Sequence, residues 1–120
     1  NQGLLVTAAT IYLALTGAQG LERIAAQSHA NLQKLRDKLC AIPGVEVVFQ
    51  ANNFHEIVLR LPQPVAPILE KLRDFKILGG LDLTPYYPEL GNALLVCTTE
   101  TKTTEDLQLF ADVLRLALQK

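Results

Sequence analysis

The run Ile77-Leu-Gly-Gly-Leu-Asp-Leu-Thr-Pro-Tyr-Tyr-Pro-Glu-Leu-Gly-Asn-Ala-Leu-Leu-Val-Cys-Thr-Thr-Glu-Thr101 carries four structural signals in succession. Ile77 to Leu83 is a short extended piece broken by Gly79-Gly80, which predicts a tight turn. Pro85 and Pro88 frame Tyr86-Tyr87 in a stiff loop. Asn92 to Thr98 is apolar at successive positions, so both faces of the strand are expected to be covered and the strand to be central. Thr103-Thr-Glu-Asp106 follows as a helix start, a capping threonine with acidic residues in the first turn, where the helix dipole favours them. The quoted run has no lysine, histidine or arginine, and so reads as scaffold beside chemistry done elsewhere.

Leu107, Phe110, Ala111, Leu114 and Leu118 give the final helix its apolar face. Upstream, Pro62-Gln-Pro64 opens a helix whose buried stripe is Val65, Ile68, Leu69, Leu72 and Phe75. Before it, Val45–Phe49 and Phe54–Leu61 read as strands joined by the Asn52-Asn53 turn. That connection is too short for a crossover helix, so the two pair as an antiparallel hairpin. Leu21 to Cys40 is a long helix with its stripe on Leu21, Ile24, Ala25, Ser28, Leu32, Leu35, Leu39 and Ile42. Gln27, Asn31, Lys34, Arg36 and Lys38 lie on the opposite flank. Gly17 to Gly20 separates it from a first helix, Leu4–Leu15. The order α-α-β-β-α-β-β-α predicts an α+β fold, a two-layer sandwich with helices on one face of a mainly antiparallel sheet.

At 120 residues, 49% of them hydrophobic, the chain is expected to form one packed domain. Eleven basic residues against twelve acidic give a net charge of −1, without the basic stripe that nucleic-acid phosphates require. Cys40 and Cys97 are expected to be buried, reduced thiols, which suits the cytoplasm. No CxxC or HxxxH spacing suggests a metal site. Ten of the twelve residues from Leu4 to Leu15 are apolar. That is short of the roughly 20 a membrane span requires, and no basic leader marks a signal peptide. A helix apolar all round needs burial on every side. The expectation is a C-terminal small domain of a larger chain, with 1–20 a connecting helix and 21–120 the α+β domain.

Candidate chemistry is sparse. Ser28 and His29 are helical neighbours about 100° apart, which prevents a nucleophile–base pairing; His29 reads as a surface histidine. His55 and Glu56 are an acid–base pair in type, but adjacent strand residues face opposite ways. Either could line a cleft or form a polar strand edge. Arg60 could bind a carboxylate or pair with a helix acid. The lysines sit on polar helix sides, at helix ends, in a turn or at the terminus, none in a desolvated loop that would lower its pKa. No GxGxxG or P-loop occurs. The segment is expected to hold no catalytic or metal-ligating residue of its own; His55, Glu56 and Arg60 are the candidates for a substrate cleft.

Leu78-Gly-Gly-Leu81, Tyr86-Tyr-Pro-Glu-Leu90, Asn92-Ala-Leu-Leu-Val-Cys97 and Thr99-Glu-Thr101 together resemble the C-terminal domain of the glycine dehydrogenase (decarboxylating) subunit 1 family, the first half of a split P-protein of the glycine cleavage system. Asn1-Gln-Gly-Leu4, Thr7-Ala-Ala-Thr-Ile-Tyr12, Gln27-Ser-His-Ala-Asn31 and Pro43-Gly-Val-Glu46 extend the resemblance over nearly the whole chain. It implies the small domain of an aspartate-aminotransferase-type (fold type I) pyridoxal phosphate enzyme, with the first helix packed on the large domain of the same parent chain. It also implies a cofactor-bearing lysine on the partner, glycine dehydrogenase subunit 2, so pyridoxal phosphate belongs to the parent complex and not to this segment. The implied reaction decarboxylates glycine and transfers its aminomethyl group to the lipoyl arm of H-protein. Nucleic acid and membrane are not expected partners. Two positions depart from the family: His55 replaces Asn in its Phe-Asn-Glu motif, and no arginine lies between Arg73 and Arg115, where related aminotransferases hold a substrate carboxylate. The alternative reading is a non-catalytic α+β ligand-binding or oligomerisation module.

Overall fold

The structure, a computed structural model, describes residues 2–119. Asn1, which opens one of the matching motifs, and the terminal Lys120 lie outside the described residues. The elements are α1 (Gly3–Cys40), β1 (Glu46–Val47), β2 (Glu56–Arg60), α2 (Val65–Asp74), β3 (Leu81–Asp82), β4 (Ala93–Cys97) and α3 (Thr104–Leu118), with a 3-10 turn at Pro88–Leu90.

The four strands form one sheet in the order β1-β2-β4-β3, every pair antiparallel. β1 and β2 are the expected hairpin, with Glu46 opposite Arg60 and Val47 opposite Leu59. β4 is interior, as its apolar sequence predicts, and pairs with β2 from Glu56↔Cys97 to Arg60↔Ala93. Ile57, Leu59, Leu94 and Val96 point to one side. There they meet Leu32, Leu35 and Leu39 of α1, Ile68 and Leu72 of α2, and Leu107, Ala111 and Leu114 of α3. Each buried leucine contributes roughly 1.5–3 kcal/mol. All three helices therefore lie on one face, and the fold is α+β.

The other sheet face is where expectation and structure part. Leu95 is only half-buried and Cys97 is exposed, so β4 is central without being covered on both sides. Cys40, at the end of α1, is exposed too; neither cysteine is the buried thiol expected from its residue type. Strand pairing is also shorter than the apolar runs suggest, and Phe49 stays exposed beyond the end of β1.

α1 is two helical rods joined at Gly17, whose backbone (φ 66°, ψ 176°) leaves the helical region in a conformation open to glycine. The packed stripe begins only at Ser28; Leu21, expected within it, is exposed. Phe75, expected on the buried side of α2, is half exposed because the helix ends there and the chain turns away at Lys76. Among the described residues before Gly17 only Thr16 is partly covered: Leu4 is 79% and Leu15 83% exposed, with Leu5, Val6, Ile11, Tyr12 and Leu13 exposed between them. By length and composition α1 is apolar enough to cross a membrane. The straight rod from Gly3 to Thr16 spans only about 21 Å at about 1.5 Å per residue, against a hydrocarbon core of about 30 Å.

Gly79 and Gly80 bring the chain from α2 to β3 against its neighbours. A side chain at Gly79 would collide with Leu72, and one at Gly80 with the Leu95 carbonyl. The pair is a close-packing device, with no room left over for a phosphate.

Candidate functional site

His55, Glu56 and Arg60 are not brought together. Glu56 and Arg60 share the open face of β2, but four residues separate them, about 13 Å along a strand. Arg60 lies 4.0 Å from Glu46 across the hairpin, a strand acid and not the helix acid expected, and its Nε donates to the Leu90 carbonyl at 3.3 Å. His55 lies just before β2, half-buried, with its carbonyl accepting from Thr98 N–H at 3.0 Å. Its ring meets the edge of Phe54, and Phe54 stacks on His29. His29 is exposed as expected, and its Nδ1 is 3.0 Å from the Phe54 carbonyl. The three form an aromatic clasp between α1 and the start of β2.

The most tightly determined polar group is Asn31, which the helical reading places on the solvent flank. It is 2% exposed. Its Nδ2 donates to the carbonyls of Thr99 and Lys102, both at 2.9 Å, while its Oδ1 accepts from Gln27 Nε2 at 2.8 Å. Beside it, Thr98 Oγ1 donates to the Ser28 carbonyl. The Gln27–Asn31 and Thr99–Thr101 motifs thus meet in space, the first pinning the turn formed by the second. The spacing Ser28–Asn31–Leu35 is the signal that could have revealed this, since it continues the apolar stripe.

A cleft of about 560 Å³ opens between the Phe75–Gly80 strap and the first turn of α3. Leu35, Val96, Leu107 and Phe110 contribute its apolar wall, and Lys76, Lys102, Asp106 and Cys97 also line it. Asp106 serves α3: its carboxylate accepts from Thr103 N–H at 2.9 Å, while Asp106 N–H donates to Thr103 Oγ1 at 3.2 Å, a capping box. Those bonds hold its carboxyl below the usual aspartate range. Among the described residues no cluster of His, Cys, Asp and Glu could hold a metal ion.

The glycine cleavage system P-protein family matches residues 1–114. The chain belongs to that family. Among curated relatives, the probable glycine dehydrogenase (decarboxylating) subunit 1 of Nitrosospira multiformis is 59% identical over 108 residues, 90% of this chain and 24% of its own. The counterpart in Nitrosomonas europaea is 52% identical over 98% of this chain and 26% of its own, and that in Thiobacillus denitrificans is 52% identical over 100% and 27%. A crystal structure of glycine decarboxylase (P-protein) of the glycine cleavage system, in inhibitor-bound form, superposes with a TM-score of 0.81 at 30% identity. It covers 90% of this chain and 24% of that one. The chain therefore spans about a quarter of the length of these P-protein relatives. Resemblance by motif and resemblance by backbone agree.

Proposed function

We propose that this segment is the C-terminal small domain of a glycine decarboxylase subunit, with residues 1–20 connecting it to a large domain and residues 21–120 forming the domain itself. The observation that carries the reading is the 59% identity to a subunit 1 relative over 108 residues. The bare rod before Gly17 supports it. A row of leucines on a helix that its own domain does not cover is a contact surface, and the rod is too short when straight to favour a bilayer. Its partner in this reading is the large domain of the same parent chain.

The parent complex, in this reading, uses pyridoxal phosphate, which supplies an electron sink for the loss of carbon dioxide from glycine. It then passes the aminomethyl group to lipoylated H-protein. The residues present here do not fit that cofactor. Lys71 donates to the Ala117 carbonyl, Lys38 bonds Gln108, and Lys34, Lys76 and Lys102 are exposed. Gly79 and Gly80 are filled by their own neighbours. The resemblance to the split-subunit family implies a cofactor lysine on subunit 2 and a complex in the cytoplasm, and this domain is assigned support of the assembly. Glu56 and Arg60, too far apart to grip one small substrate, are consistent with that division.

The test is glycine–bicarbonate exchange with the purified parent chain and subunit 2. Exchange only when both are present supports the reading. Exchange by the parent chain alone contradicts it.

A further inference from the structure

Lys76 is the only described residue other than glycine with a positive φ, at 60°. It ends α2 in the left-handed conformation where glycine or asparagine normally sits, its N–H bonded to the Arg73 carbonyl at 2.8 Å and the next N–H to Leu72 at 3.0 Å. A lysine there sacrifices stability that glycine would retain. Lys102 is fixed in a different way: its carbonyl accepts from buried Asn31, and its N–H donates to the Thr99 carbonyl at 3.3 Å. Two lysines on separately anchored backbone thus line the same cleft, whose wall is Leu35, Val96, Leu107 and Phe110. Neither forms a salt bridge among the described residues. The acid that shares the cleft, Asp106, directs its carboxylate at the Thr103 amide. The lining therefore carries a net charge of +1 above an apolar floor.

We propose that this cleft binds a small amphipathic anion, its apolar body against Val96, Leu107 and Phe110 and its carboxylate or sulfonate beside Lys76 and Lys102. A volume of about 560 Å³ lies within the range of small-molecule sites. Apolar contact gives affinity, and the two ammonium groups select sign. The strained backbone at Lys76 is explained by the same site, since a glycine there would fit the turn but bring no charge. The inference is independent of the decarboxylase reading.

Cys97 stands at the end of β4 with its thiol on the sheet face opposite Val96, so the backbone of the Phe75–Gly80 strap reports on the cleft and β2 serves as the control. The experiment measures peptide-resolved hydrogen exchange of the Phe75–Gly80 strap and of β2 in the intact parent protein, with 4-phenylbutyrate, 4-phenylbutanol or 4-phenylbutylamine present. At about ten times its Kd, phenylbutyrate is expected to slow exchange in the strap about tenfold by mass action, while β2 changes less. The alcohol and the amine are expected to need about tenfold higher concentration or more. Lys102→Gln and Lys76→Gly are each expected to weaken the carboxylate's protection, with Lys76→Gly doing so in a protein that melts higher. That last combination separates lost binding from lost folding. Equal protection by the three probes overturns the proposal, as do no protection at millimolar carboxylate and unchanged protection in both lysine variants. A strap already as protected as β2 without any probe overturns it as well, because the cleft would then be filled in the whole protein.

Discussion

The Asn31 carboxamide and the Thr99 carbonyl are joined by a hydrogen bond of 2.9 Å across 68 residues of sequence. With the second bond to Lys102 it fixes the only connection between the central strand and the last helix. Both acceptors are backbone groups in a turn, which no strand ladder satisfies.

Asn31→Ala leaves the Lys102 carbonyl without its donor and the Thr99 carbonyl with only the Lys102 N–H at 3.3 Å, which costs about 1–3 kcal/mol. Asn31→Asp is expected to be worse, because a carboxylate would face carbonyl oxygens. Hydrogen exchange in the parent protein checks this: amides of the Thr99–Lys102 turn and the first turn of α3 should lose protection, while β2 changes less.

Lys76→Gly is expected to stabilise the fold by about 1 kcal/mol, since glycine takes a φ of 60° without the Cβ clash that lysine carries. Lys76→Val is expected to destabilise it, because a β-branched side chain tolerates that region least. Thermal melts of the two variants against the parent sequence decide the sign.

The capping box gives a pH dependence. Asp106 has its pKa lowered by the Thr103 backbone and side-chain bonds. A carboxyl with a folded pKa below its unfolded value binds fewer protons when folded. Its contribution is therefore fully present above the unfolded value near 3.9, and is lost as pH falls through the lower folded value. Protection of the first turn of α3, followed by hydrogen exchange from neutral to acid, should fall in that range only. Asp106→Asn should remove this part of the profile.

Residues 1–120 expressed alone are expected to retain no pyridoxal phosphate on dialysis, because no described lysine is buried where an aldimine would be shielded from water. Absorbance after dialysis against cofactor-free buffer checks it: no visible aldimine band should remain. A retained band would show a cradle that this fold lacks.

The sheet side of the fold was legible because two physical periods are clean in this chain. Ile57, Leu59 and Leu61 alternate with Glu56 and Arg60, and the structure buries the first set and exposes the second. Leu107, Ala111 and Leu114 keep helical spacing behind a cap that Thr103 and Asp106 announce by type. Periodicity failed where it had no information about extent. It could not show that the sheet has only one covered face, so Cys97 was read as buried from its apolar neighbours. Nor could it show where α1 first touches the core, so Leu21 was grouped with Leu32. Asn31 was misplaced because polarity outweighed its position, and Arg60 found a strand acid because register was not fixed by sequence alone. The cleft beside α3 was invisible for a further reason: Lys76 and Cys97 are 21 residues apart and come together only through the Gly79–Gly80 close approach.

In the proposed assembly the apolar rod before Gly17 is covered by the rest of a P-protein. Hydrogen exchange of the peptide spanning residues 3–16 in the intact, assembled protein tests it most directly. Slow exchange is expected there, about a hundredfold or more below an exposed helix, with matching loss when Leu5 or Leu13 is changed to Asp. Exchange as fast as that of a solvent-facing helix would contradict it.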